Sequence, residues 1–310
     1  MLDDLITGEG YPEGRWIELY GAESSGKTTT GVIMLSKAQE KYPEKMVAVI
    51  DMEHAFAPKY AAQFGLDLSE DKFLMCQPNS GEEALEITRE LAGSGLFSAI
   101  LFDSVGAIVT QKQLSNGIDD ETMGAVARLL SKSASQINIA SENTKTTIIW
   151  INQVRSKIVM MGNPETTSGG NTMKFFYSVR IRVSKVDTIL SPKTKDPIGV
   201  EVRYQSIKNK VGIPYREITT SIFFGKGFDK YRETIEVAIK RGVLVSSGAW
   251  TYFARGTDKE LKWNGKVNAI NWYREVENSD HFQELQDLIK ASSLVVEIDS
   301  IEPVDENSDD

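Results

Sequence analysis

RWIELYGAESSGKTTTGVIML, residues 15–35, decides how the rest of the chain is read. Its first six residues are β-rich, its middle matches G-x-x-x-x-G-K-[ST] from Gly21 to Thr28, and its last part has helical spacing. The pattern alone recurs by chance, so its setting matters. A strand that runs into Gly21 and a helix that opens at Lys27 bring backbone N–H groups and a helix N-terminus around a polyphosphate. On that reading Gly21, Ala22, Glu23, Ser24, Ser25 and Gly26 form the cradle. Lys27 reaches the β- and γ-phosphates, and Thr28, followed by Thr29, offers a hydroxyl to Mg²⁺.

Outward from this P-loop, short β-rich runs alternate with helical stretches as far as Asn152. The runs are RWIELY (15–20), MVAVID (46–51), FLMC (73–76), AILFD (99–103) and TTIIWIN (146–152). Each is apolar almost throughout, as strands covered on both faces are. Helical patterns lie between them, over 28–42, 81–94 and 123–143. The alternation predicts an α/β fold, a P-loop NTPase core with a largely parallel twisted sheet and helices on both faces. VRIRVS (179–184) and GVEVRYQSIK (199–208) extend the same sheet. The core is expected over 1–226. A small α/β domain is expected over 227–294, with helices near 232–240, 267–276 and 281–290 and with Trp250, Trp263 and Trp272 as its small core.

The 310 residues carry 44 acids and 35 bases, a net charge of -9. EIDSIEPVDENSDD (297–310) holds seven of those acids and no Lys or Arg, so the remainder is close to neutral. Residues 295–310 therefore read as an acidic disordered tail. Between Thr172 and Arg216, ten Lys or Arg stand against three acids. Cys76 is the only cysteine, which excludes an internal disulfide or a thiolate zinc cluster and fits a reducing compartment. No apolar stretch approaches the ~20 residues of a membrane helix, and the acidic start lacks the positive region of a signal peptide. The expectation is a cytoplasmic protein with no membrane partner. His54 and His281 are isolated and suggest no metal site.

Three strand ends add chemistry, because ligands of doubly wound sheets bind at the carboxyl ends of the strands. Asp103 ends AILFD, placed to hold the hydration shell of Mg²⁺. Glu53 stands two residues past MVAVID, positioned to polarise a water for attack on a γ-phosphate. Gln153 follows TTIIWIN, an uncharged donor that could sense the same phosphate. With the P-loop, these three specify nucleotide hydrolysis.

The residues also resemble a known family, the bacterial RecA recombinases. GAESSGKTT, IDMEHAFAPKYA, CQPNSGEEALEI, DSVGAI, MGAVARLLS, INQVRSKI, GNPETTSGGN, KNK and SGAW carry the resemblance in family order, from about Leu5 to Lys290. The resemblance implies a DNA-dependent ATPase using ATP and Mg²⁺. It implies a filament on single-stranded DNA that pairs it with homologous duplex DNA, in recombination, repair and the SOS response. Glu53 is then the catalytic glutamate, Asp103 the Mg²⁺-associated acid, Gln153 the γ-phosphate sensor, and Tyr60 the residue that stacks on adenine. Lys208 and Lys210 resemble the pair that reaches a neighbouring subunit's ATP. DNA contact is implied for two loops, about 114–124 and 154–171, and for the helix after the first. The residues concerned are Met123, Gly124, Arg128 and Ser131, then Arg155, Lys157, Ile158, Gly169, Gly170 and Asn171. Glycine is expected at the last stretch so that backbone can approach a phosphate. A repressor that cleaves itself is a further partner the resemblance implies.

The sequence also departs from the family pattern. Met1 lies only twenty residues before Gly21, so the resemblance implies that the usual N-terminal oligomerisation segment is absent. Ala57 stands in place of an acid near adenine, Phe224 in place of a tyrosine, Met161 in place of a phenylalanine, and Ser135 in place of a base. An accessory ATP- and DNA-binding module acting with a full-length recombinase is therefore an alternative. A helicase-like motor of the same superfamily is a third, against which GNPETTSGGN argues.

Overall fold

The structure, a computed structural model, describes residues 2–6, 10–115, 124–156 and 165–292. Met123, Lys157, Ile158 and the expected tail over 295–310 lie outside them. Two compact units result, one over Leu2–Asp229 and one from Lys230 onward.

In the larger unit, α1 (Leu2–Ile6) precedes β1 (Trp16–Gly21), which leads through the P-loop into α2 (Lys27–Lys41). β2 (Met46–Asp51), α3 (Pro58–Ala61), β3 (Phe73–Cys76), α4 (Gly81–Gly93) and β4 (Phe97–Asp103) follow. Next come α5 (Gln111–Ser115), α6 (Ala125–Thr144), β5 (Thr147–Ser156), β6 (Glu165–Thr167) and α7 (Gly170–Phe176). An antiparallel meander of β7 (Val179–Leu190), β8 (Pro197–Asn209), β9 (Glu217–Phe223) and β10 (Gly227–Phe228) closes the unit.

The sheet has the order β10-β9-β8-β7-β1-β5-β4-β2-β3, with β6 paired to β5 off that path. Strands β1 to β5 and β7 run parallel to their neighbours in the central part, so β1, β2, β4 and β5 are buried almost throughout, whereas β3, at the edge of the sheet, is only half-buried. β1, β4 and β5 pack a large aromatic core: Trp150 lies 4.9 Å from Trp16 and 4.8 Å from Phe102 between ring centres. Removing any of these fully buried rings is expected to cost about 3–5 kcal/mol. α4 begins where Ser80 Oγ accepts the Glu83 N–H at 3.2 Å, and it buries Ala84, Leu85, Thr88 and Ala92 on one face. Parallel register aligns the strand ends, so that Gly21 pairs with Gln153 and Asp51 with Asp103.

One expectation needs correction here. The stretch 154–171 is not a loop throughout: Val154, Arg155 and Ser156 pair antiparallel with Thr167, Thr166 and Glu165, and a helix opens at Gly170. The β-branched Val154, Thr166 and Thr167 favour that ladder.

The smaller unit comprises α8 (Lys230–Lys240), β11 (Leu244–Ser247), β12 (Trp250–Phe253), β13 (Leu261–Asn264), α9 (Lys266–Arg274) and α10 (Ser279–Ala291). Its three strands form an antiparallel sheet, and Trp263, Tyr273, Phe282 and Leu285 lie in its core. Trp272 packs 5.2 Å from Trp263. Trp250 departs from the expected core role and is 40% exposed, because the alternation along β12 turns Thr251 and Phe253 inward instead.

Candidate functional site

The carboxyl ends of β1, β4 and β5, with the residues after β2, converge on the P-loop. Gly21 has no room for a side chain, since a Cβ there would sit 2.0 Å from the Val183 carbonyl oxygen of β7. The tight turn that follows brings Ser25 and Lys27 under cover while Ala22, Glu23, Ser24 and Thr28 face outward. Lys27 donates from Nζ to the Ala22 carbonyl at 2.6 Å. Burial lowers its ammonium below the usual lysine range, against the pull of Asp103, Glu53 and Glu23. The Thr28 hydroxyl donates to Asp103 Oδ2 at 2.7 Å. Burial is the largest effect on Asp103 and pushes its carboxyl up to about 6; the Thr28 hydroxyl opposes this, and Glu53 and Asp51 add to it.

Glu53 is held in place from two sides. Its Oε1 accepts from Ser104 Oγ at 2.5 Å and from Gln153 Nε2 at 3.0 Å. The segment that carries it is braced by Asp51, whose carboxylate accepts from the Phe56 N–H at 3.0 Å and from Gln77 Nε2 at 3.0 Å. The structure therefore brings Lys27, Thr28, Asp103, Glu53 and Gln153 to one place. Ser104, Asp51 and Gln77 fall within DSVGAI, IDMEHAFAPKYA and CQPNSGEEALEI, but the sequence assigns them no role, and the contacts alone reveal their part.

A cavity of about 390 Å³ lies beside the P-loop, lined by Ser24 to Thr29 and by Tyr60, Lys185, Val200, Ile222 and Phe224. Tyr60 is 42% exposed and stands edge-on to Phe64 at 4.9 Å, presenting an aromatic wall to the cavity. Lys185, Val200 and Ile222 were not legible as site residues, because the meander β7-β8-β9 carries them in by long-range pairing. Among the described residues, no group of three or more His, Cys, Asp or Glu could hold a metal ion. The Thr28 hydroxyl with the Asp103 carboxylate nonetheless fits Mg²⁺, a hard ion that keeps its waters and takes one or two protein oxygens beside phosphates.

Lys208 and Lys210 lie at the end of β8 and both donate to carbonyls at the C-terminal end of α7. Lys208 Nζ meets Lys174 O at 2.5 Å, and Lys210 Nζ meets Phe175 O at 2.9 Å. Burial first, then Lys210 and Arg180, lower the Lys208 ammonium to about 8. Elsewhere, Ser131 of α6 donates to Thr172 Oγ1 of α7 at 2.8 Å, which joins the two helices. Gly124, Arg128, Ser131, Gly170 and Asn171 are all exposed near this junction. Gly169 is different. It is buried, its φ is 95°, and a Cβ would lie 3.1 Å from Leu130 and 3.3 Å from Val105, so backbone conformation and packing already favour a glycine there. The Arg155 backbone pairs within β5, and its side chain lies outside the described residues.

A P-loop at the head of a parallel sheet, with acids and an amide at the neighbouring strand ends, defines a P-loop NTPase. Residues 1–229 match the RecA N-terminal domain. The chain is 37% identical over 291 residues to Protein RecA of Mycoplasma mycoides, covering 94% of this chain and 81% of that one. It is 38% identical over 276 residues to Protein RecA of Treponema pallidum (strain Nichols), covering 89% and 66%, and 39% identical over 276 residues to Protein RecA of Methylobacterium sp. (strain 4-46), covering 88% and 73%. The crystal structure of the RadB recombinase matches in fold, with a TM-score of 0.52 at 21% identity over 73% of this chain and 94% of that one. The chain belongs to the RecA family, and with it to the ATP- and DNA-binding proteins of recombination and repair. No helix of the described residues is long and apolar enough to cross a membrane.

Proposed function

We propose that the chain is a DNA-dependent ATPase that assembles as a filament on single-stranded DNA and promotes its pairing and strand exchange with homologous duplex DNA. The observation that carries this reading is the bond between Glu53 and Gln153, because Gln153 lies on the strand that runs straight into the 154–171 segment. One strand thus joins the nucleotide end to the DNA end.

The residues divide the work by position. Backbone N–H groups from Gly21 to Thr29 cradle the phosphates, and Lys27 neutralises charge on the β- and γ-oxygens. Thr28 and Asp103 hold Mg²⁺, which supplies charge compensation for the phosphates. Tyr60 stacks against the base. Glu53 orients and polarises the attacking water, and Gln153 exchanges its bond to Glu53 for one to the γ-phosphate. Lys208 and Lys210 leave the α7 carbonyls to meet the nucleotide of the adjoining copy, where cations offset transition-state charge. DNA is met by Gly124, Arg128, Ser131, Gly169, Gly170 and Asn171, together with Met123, Arg155, Lys157 and Ile158. Contacts of this class act through phosphate charge and base stacking, so binding is largely independent of sequence.

The test is ATP turnover with and without single-stranded DNA. Turnover is expected to rise on adding DNA, and electron microscopy is expected to show helical filaments. Turnover indifferent to DNA overturns the reading.

A further inference from the structure

Glu18 sits in the middle of β1 and is fully buried. A carboxylate there is costly unless its lone pairs find donors, and both neighbouring strands supply one. From β7, Arg180 donates through Nε to Oε2 at 2.5 Å, and its guanidinium lies 5.0 Å from the centre of the Tyr20 ring. From β5, Asn152 donates through Nδ2 to Oε1 at 2.9 Å.

Asn152 does more than satisfy this charge. Its Nδ2 also donates to the Ser168 carbonyl at 3.0 Å, and its Oδ1 accepts the Gln153 backbone N–H at 2.9 Å. An amide has two hydrogens on one side and acceptor lone pairs on the other. With the carboxylate and the carbonyl on one side and the N–H on the other, only one orientation satisfies all three partners. The side chain is therefore locked, and Glu18 with Arg180 is what locks it.

The consequence is geometric. Gln153, whose side chain is bonded to Glu53, and Ser168, where the chain leaves β6 for α7, hang from the same amide. A displacement of Gln153 that follows loss of its bond to Glu53 moves its backbone N–H relative to Asn152 Oδ1, and the strain falls on the Ser168 carbonyl. An ion pair that served stability alone would have no use for an amide reaching across to Ser168. We propose that Asn152, anchored by the buried Glu18 and Arg180 pair, is a positioning residue that couples Gln153 to the exit of the 154–171 segment. This rests on the reading that Gln153 responds to the nucleotide and that the segment meets DNA.

The test uses the full chain carrying Asn152→Ala, with ATP turnover measured against ATP concentration in the presence and absence of single-stranded DNA. The KM for ATP and the DNA-independent turnover are expected to stay within about twofold of the original, while the maximal DNA-stimulated turnover falls about tenfold. Asn152→Ser, whose hydroxyl cannot span both partners, carries the same expectation should the alanine variant fail to fold. A folded variant that keeps full stimulation overturns the coupling, and so does a proportional loss of basal and stimulated turnover, which marks a structural role. An original chain whose turnover ignores DNA overturns the function it rests on, a distinct result that removes this proposal as well.

Discussion

At the scale of the residue, the site separates holding a nucleotide from breaking it. Lys27 is covered and faces the cradle, so Lys27→Ala is expected to abolish nucleotide binding in a fluorescent-nucleotide titration. Glu53 contacts Ser104 and Gln153 rather than the cradle, so Glu53→Gln is expected to keep nucleotide affinity and to lower turnover by about 10²-fold or more. Equal loss of binding in both variants would contradict these roles. Asp103 adds a pH dependence. Its folded-state carboxyl is raised to about 6, above the ordinary value, so the folded protein holds this proton more tightly than the unfolded chain. The resulting stability is present below about pH 4 and is lost as pH rises through about 6. Binding of Mg²⁺ with nucleotide needs the ionised form, so affinity is expected to weaken as pH falls below about 6. Calorimetric titrations across that window should show the trend, and Asp103→Asn should flatten it. Glu53, Asp103 and Gln153 were legible because each follows an unbroken apolar run. Ser104 was not, since a serine after a strand has no pattern that marks it as a clamp on a glutamate fifty-one positions away.

At the scale of the element, the close approach of β7 to the end of β1 shapes the P-loop. A Cβ on Gly21 would meet the Val183 carbonyl at 2.0 Å, and this obstacle is backbone that cannot rotate away. Gly21→Ala is therefore expected to destabilise the chain by about 1–3 kcal/mol, read as a fall in Tm, and to distort the cradle enough to weaken nucleotide binding. An unchanged Tm would show that β1 and β7 part more easily than their register suggests. The core strands and long helices were legible from periodicity, and their ends fall within a few residues of expectation. Among those that were not are the short pairing of β5 with β6 and the individual strands of the second unit, of which only an α/β make-up was expected. Both are antiparallel pairings of only three or four residues, too short for alternation to mark them in the sequence.

At the scale of the whole molecule, charge is divided rather than summed. The chain is acidic overall, yet Thr172 to Arg216 is strongly basic, and Arg128 lies on a helix tied to α7 by Ser131. DNA affinity is accordingly expected to fall linearly in log K against log salt, with a slope of several units, in fluorescence-anisotropy titrations. A salt-insensitive affinity would exclude phosphate contact as its source. The sequence by itself determined the chemistry available and the strands that present it, because a P-loop motif and apolar runs are local properties that need no partner to be recognised. The tertiary structure alone decided which groups touch: that Thr28 reaches Asp103, that Gln153 holds Glu53, and that Glu18, Arg180 and Asn152 share one buried network. The physical reason is register. A parallel sheet places residues more than a hundred positions apart side by side, and a slip of one residue would turn each side chain to the opposite face.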